Sequence, residues 1–151
     1  RPVLTPTLDD RMTQVIDVDD LAAFLVACGA DERSVVANAI GDPLPFRTFI
    51  DAAREVAGHG GELVTADDAW LAAHDVQYWM GPRSLPLWLP ADMPGFATRS
   101  NAAYRAAGGL LRALDDTLRR TLADERARGL DRERRSGLTR AEELALLGEM
   151  S

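Results

Sequence analysis

The chain has no lysine: all seventeen of its basic residues are arginine. That absence removes every mechanism needing a lysine amine, so a phosphate-binding P-loop, a Schiff-base nucleophile and a Tyr-x-x-x-Lys catalytic pair are excluded from this polypeptide. Cysteine is nearly absent. Cys28 stands alone, so no internal disulfide forms, and a reducing cytoplasm is the expected setting. His59 and His74 are the only histidines, and with no cysteine near either they lack zinc spacing. No apolar run approaches the ~18 residues of a membrane span, and no basic segment leads into a short apolar one, so neither a span nor a signal peptide is expected. No Gly-x-Gly-x-x-Gly string offers a cradle for a dinucleotide pyrophosphate, and no Gly-x-Ser-x-Gly elbow supports a hydrolase triad. A net charge of −7 argues against nucleic acid, which needs a clustered basic surface.

What is present, 151 residues with 46% apolar content, suffices for one ordinary core. The stretch around which the rest is arranged is 13–26. Val15, Ile16 and Val18 are β-branched and read as a short strand over 15–18, after which Leu21, Phe24, Leu25 and Cys28 recur at helical spacing. Cys28 on that apolar face reads as a small buried hydrophobe rather than a reactive thiol. Asp17, Asp19 and Asp20 fall where the first helical turn leaves N–H groups unpaired, so capping accounts for them better than a hard-cation or acid/base site. Asp9/Asp10, Asp67/Asp68 and Asp115/Asp116 repeat that placement.

The helix is expected to end at Gly29. A second strand is predicted over 35–40, then a helix carrying Phe46, Phe49, Ile50, Ala53 and Ala57 on one stripe and closing on Gly58. A strand over 62–66 leads, through a capping box variant beginning at Thr65, into a helix with Trp70, Leu71 and His74. Between 76 and 93 no period holds: Tyr78, Trp79, Met80, Pro82, Pro86, Trp88 and Pro90 make an aromatic, proline-rich loop. A further short strand is expected near 96–98. Helices follow over 101–107, with Ser100 as cap, and over 115–128, closing on Gly129. A capping box from Thr139 to Glu142 opens a last helix with Leu144 and Leu147 inward.

Ile16-Asp17-Val18-Asp19-Asp20-Leu21-Ala22 resembles the strand-to-helix segment in the second half of extended short-chain dehydrogenases, the NAD-dependent epimerase/dehydratase family. Val35 to Gly41 follows where that family places its last Rossmann strand, and Pro45 to Asp51 where its next helix starts. Asn101 to Gly108 and Leu114 to Leu118 are similar to its closing pattern, so the resemblance runs from about residue 11 to about residue 128.

The resemblance implies an α/β fold: a helix-rich substrate lobe with a few short strands left from a Rossmann-type sheet, over 1–129, with a helical tail over 130–151 packed on it. It implies a parent NAD(P)-dependent epimerase, dehydratase or reductase acting on a small carbonyl or hydroxyl compound. NAD or NADP would be held by a dinucleotide-binding half, with no cofactor and no catalytic residue in this chain. Tyr78 and Tyr104 lack the following lysine of the family's catalytic pair. In such enzymes this lobe closes over substrate, so Trp79, Met80, Arg83 and Trp88 are the candidate substrate contacts, Arg83 as a guanidinium fork for an anionic group. Trp79, Met80 and Trp88 equally suit a plug beneath the loop. Thr13 stands where nucleotide-sugar epimerases of the family place a diphosphate-binding arginine, and Met93 where they place another, which points to a less charged substrate. Strands over 15–18 and 35–40 without sheet neighbours would leave bare edges, so a homo-oligomer or a separately encoded cofactor half is expected. The competing expectation is an interaction or regulatory module that reuses the lobe without catalysis.

Overall fold

A computed structural model describes residues 1–150. Its elements follow in the order β1 (Val3–Pro6), β2 (Met12–Thr13), α1 (Val18–Ala30), β3 (Leu44–Pro45), α2 (Phe46–Ala57), β4 (Leu63–Ala66), α3 (Asp68–Ala73), β5 (Gln77–Tyr78), β6 (Ser84–Leu85), α4 (Ala102–Ala106), α5 (Leu114–Arg128) and α6 (Arg140–Glu149). The fold is mixed α/β, with the strands in three separate pairs: β1 with β4 parallel, β2 with β3 antiparallel, and β5 with β6 parallel. None of the helices among the described residues is long and apolar enough to cross a membrane.

The core forms on one face of the β1–β4 pair. Period-two alternation turns Leu4 and its register partner Val64 to that face, where Leu4, Ala66, Leu71, Val76, Trp88, Leu146 and Leu147 form one cluster. Leu146 and Leu147 come from α6, so residues distant in sequence close the same core as β1. Leu144, expected inward, is 51% exposed; Leu146 takes the inward place. α6 also covers the edge of β1. Leu4 N–H donates to Glu143 Oε1 at 2.9 Å, and Arg140 donates to the Pro2 carbonyl at 3.2 Å, while Pro6 has no N–H to offer.

Several boundaries agree with the sequence pattern for the reasons that predicted them. α2 ends at Gly58, whose φ of 64° is left-handed. α5 begins with Asp115 and Asp116 in its first turn and closes on Gly129. α6 opens with the full Thr139–Glu142 capping box.

Other expectations are corrected. No strand forms over 15–18 or 35–40: Val18 already belongs to α1, and side-chain bonds to backbone at Gln14, beside the first segment, and within and beside the second stand where a ladder was expected. Gln14 Nε2 donates to the carbonyls of Gly41 and Arg99, each at 2.8 Å, and Gln14 Oε1 accepts from Arg99 N–H at 2.8 Å. Asn101 donates to the Ile40 carbonyl at 3.0 Å, and Asn38 to that of Ser100 at 3.1 Å. Gly29 lies inside α1, whose C-cap is Asp31. Asp67 rather than Thr65 caps α3, accepting from Trp70 N–H at 2.7 Å. Residues 96–97 are turn, not strand. The β5–β6 pair inside the aromatic loop was not foreshadowed by any periodicity.

Candidate functional site

The aromatic loop is organised around one carboxylate. Asp68, at the start of α3, accepts from Arg11 and from the Trp88 indole N–H (3.1 Å) on Oδ1, and from the Tyr78 hydroxyl (3.4 Å) on Oδ2. Arg11 also donates to the Leu89 carbonyl. Tyr78 and Trp88 lie with ring centroids 3.8 Å apart, and Trp88 is fully buried. Burial, and then the Asp68 charge, push the Tyr78 phenol above its ordinary range, so it stays a neutral donor. Three non-glycine residues of this loop adopt left-handed backbone: Trp79 (φ 63°), Arg83 (54°) and Leu87 (65°). Such conformations persist only where the surroundings fix them, and here Trp79 N–H to the Trp88 carbonyl (3.0 Å) and Gln77 N–H to the Arg83 carbonyl (2.9 Å) do so.

The five candidate substrate residues do not converge on one cavity. Thr13 is buried within β2, opposite Leu44. Trp79 is half-buried, edge-on to Phe96 at 5.2 Å, and Met80 is 64% exposed. Arg83 is engaged internally: Nε and Nη2 donate to the His74 carbonyl at 3.1 and 3.0 Å, and Nη1 lies 3.6 Å from Glu142. Trp88 is closed off from solvent within the core cluster and lines none of these cavities. The cavity nearest the loop in sequence is about 110 Å³, bounded by Arg11, Met12, Leu87, Leu89, Met93 and Ala97 among others. Small-molecule sites run to ~300–1,000 Å³, so this cavity by itself is below that range.

A second cavity, about 310 Å³, lies where α1 begins and α5 approaches. Asp17 caps α1 by accepting from Asp19 N–H at 2.9 Å, and its other oxygen is 3.4 Å from Arg112. Arg112 grips Asp20 through Nε (2.9 Å), Nη2 (2.7 Å) and its own N–H (2.8 Å), while Arg120 pairs with Asp19. The three acids thus serve as cap and as clamp between α1 and the approach to α5. Across the cavity Asp42 accepts from Asn101 (2.9 Å) and Arg105 (2.6 Å). The Arg112 hydrogen bond holds Asp20 below the usual carboxylate range, and the Asn101 and Arg105 bonds do so for Asp42. Both are ionised near neutrality, with their charges paired inside the chain.

Arg11 and Asp68 hold the aromatic loop, and Gln14 and Arg112 tie the segments about the second cavity; the sequence offered Asp68 only as one of a capping pair and gave Gln14 and Arg112 no role. Asp68 reads as one of a capping pair, and no linear spacing joins positions 11, 68, 78 and 88. Among comparisons with known proteins, no family model matches the chain, and neither a curated protein nor a solved structure matches it significantly.

Proposed function

We propose that this chain is the substrate-binding lobe of an NAD(P)-dependent epimerase, dehydratase or reductase of the extended short-chain dehydrogenase type, acting on a small carbonyl or hydroxyl compound in the cytoplasm. In this reading it contributes shape and hydrogen bonds, and a dinucleotide-binding half holds NAD or NADP and the proton and hydride chemistry on a Rossmann-type sheet. One observation carries the reading: α1 is apolar on both sides. Phe24 is buried, yet Val18 (72% exposed), Leu25 (60%) and Val26 (71%) line the outward side, and Val36 beyond the helix is 97% exposed. A helix apolar all round belongs in an interior. Residues 18–40 are, in this reading, the crossover helix and last strand of a sheet completed by the other half. Association of copies, or with a separate cofactor half, is expected through this apolar surface; residues 35–40, which form no strand in this chain, would pair only once the other half supplies the sheet.

The test is the polypeptide carrying the residues encoded before Arg1. It should contain a glycine-rich strand–turn–helix and a Tyr-x-x-x-Lys pair, bind NAD(P)H by fluorescence, and protect the α1 amides from exchange. An upstream sequence without those motifs sinks the proposal. The second reading, a regulatory or interaction module, is favoured by the internal engagement of Arg83 and Trp88, and such an upstream sequence would support it.

A further inference from the structure

The face of the β1–β4 pair turned away from the core looks onto α2 across an open groove of about 490 Å³. Alternation along β1 points Val3 and Thr5 into it; Phe46, Phe49, Ile50, Ala53 and Ala57 of α2 form the opposite wall, and residues 85–87 line it as well. The walls are almost wholly apolar, and the volume is that of a small-molecule site.

Two polar atoms in this lining have no hydrogen-bond partner among the described residues. Thr5 is only 4% exposed, and its Oγ1 makes no hydrogen bond. On Arg54, whose side chain is 34% exposed as a whole, the Nε atom is buried and has no partner among the described residues. The remaining guanidinium nitrogens of Arg54 are lightly held: Nη2 donates to the Gly61 carbonyl at 2.8 Å and Nη1 lies 4.0 Å from Asp51. Buried polar atoms without partners are rare and unfavourable, so each calls for an explanation. A guanidinium N–H can only donate, so its partner must be an acceptor, and an anionic one suits the charge. Thr5 Oγ1 offers a further hydrogen bond on the strand side.

We propose that this groove binds an elongated apolar carboxylate, its chain lying along the α2 stripe and its head on Arg54. The site is separate from the Asp68 cluster, and the inference does not depend on the dehydrogenase reading.

Decanoate, decanol and decyltrimethylammonium are the probes, titrated calorimetrically into the full chain. Decanoate should bind saturably at one site per chain, with decanol about tenfold weaker and the cationic probe not binding. Ala53→Trp, which fills the groove, should abolish decanoate binding, and Arg54→Gln should weaken it about tenfold while leaving decanol unchanged. Where Ala53→Trp fails to fold by circular dichroism, Arg54→Gln carries the test alone. The proposal is overturned if decanoate does not saturate, if decanol binds as tightly, or if the groove is instead occupied by a second copy, seen as concentration-dependent dimerisation that competes with decanoate.

Discussion

Replacing Asp68 by alanine isolates the group on which the aromatic loop converges. Two consequences add. The Trp88 indole N–H, within a fully buried side chain, loses the acceptor it has among the described residues, which costs about 1–3 kcal/mol. The Arg11 and Asp68 side chains are 16% and 29% exposed, and Arg11 keeps the Leu89 carbonyl, so losing the carboxylate costs about 1–2 kcal/mol, between the values for an exposed and a buried pair. Shared partners make the sum less than additive, so about 2–4 kcal/mol is expected, or roughly 4–16 °C in melting temperature at this chain length. Asp68→Asn keeps an acceptor for Trp88 and loses only the charge, so it should show about half that shift. Adding Arg11→Met to Asp68→Ala should recover about 1–2 kcal/mol, because the stranded cation is gone. Thermal unfolding by circular dichroism at pH 7 reads all four proteins. An Asp68→Ala melting temperature within about 2 °C of the parent, or equal shifts for Asn and Ala, would refute the reasoning.

Asp20 supplies a pH dependence. Arg112 holds its folded pKa below the ordinary 3.8, so the folded state stays ionised at pH values where the unfolded carboxyl takes a proton. Its stabilisation is therefore complete above about pH 4 and lost as pH falls through the depressed folded value. Arg112→Met should lower the melting temperature at pH 7 and flatten its decline below pH 4, as measured by a pH series of melts; an unchanged acid limb counts against the clamp. Gly41→Ala should destabilise by about 1–3 kcal/mol, because a Cβ there would sit 2.0 Å from the Val15 carbonyl oxygen, and urea unfolding reads it directly. Thr139→Ala removes one side of the α6 capping box and should cost about 1 kcal/mol, a shift of a few degrees in the same melts.

What was legible in the sequence was what local chemistry determines. Gly58 and Thr139 mark helix ends because a left-handed backbone or an unpaired N–H needs that residue type at that place. α2 was readable because its stripe is apolar and its other side charged. α1 was readable as a helix, but nothing in its pattern says which of two apolar sides the fold buries. Arg83 illustrates the limit for sites: a guanidinium beside aromatic residues suits an anion, yet the left-handed turn at that residue brings it to the His74 carbonyl and Glu142 instead. The Asp68 and Arg112 clusters join residues separated by 57 and 92 positions, distances at which no spacing rule operates.

Residues 35–40 show how far a strand is made by its neighbours. Val35 and Val36 have strong β preference, but that preference expresses fit to a pleated, half-buried surface rather than the backbone alone. Here no such surface adjoins them, and Asn38, Asn101 and Gln14 secure the segment by side-chain bonds at its far end while Val36 stands in solvent. If the apolar side of α1 and this segment are completed by another sheet, the same residues should exchange water for ladder partners with little rearrangement of the Gln14 and Asn101 bonds. Amide hydrogen exchange measures this directly. Val35, Val36 and Ala37 should exchange rapidly in the 151-residue chain and, under the function proposed above, become protected when a dinucleotide-binding half is joined to it, whereas the Asp68 cluster should change little. Exchange at those three amides that stays fast in the joined protein would mean that the exposed valines are a surface feature with no sheet to meet.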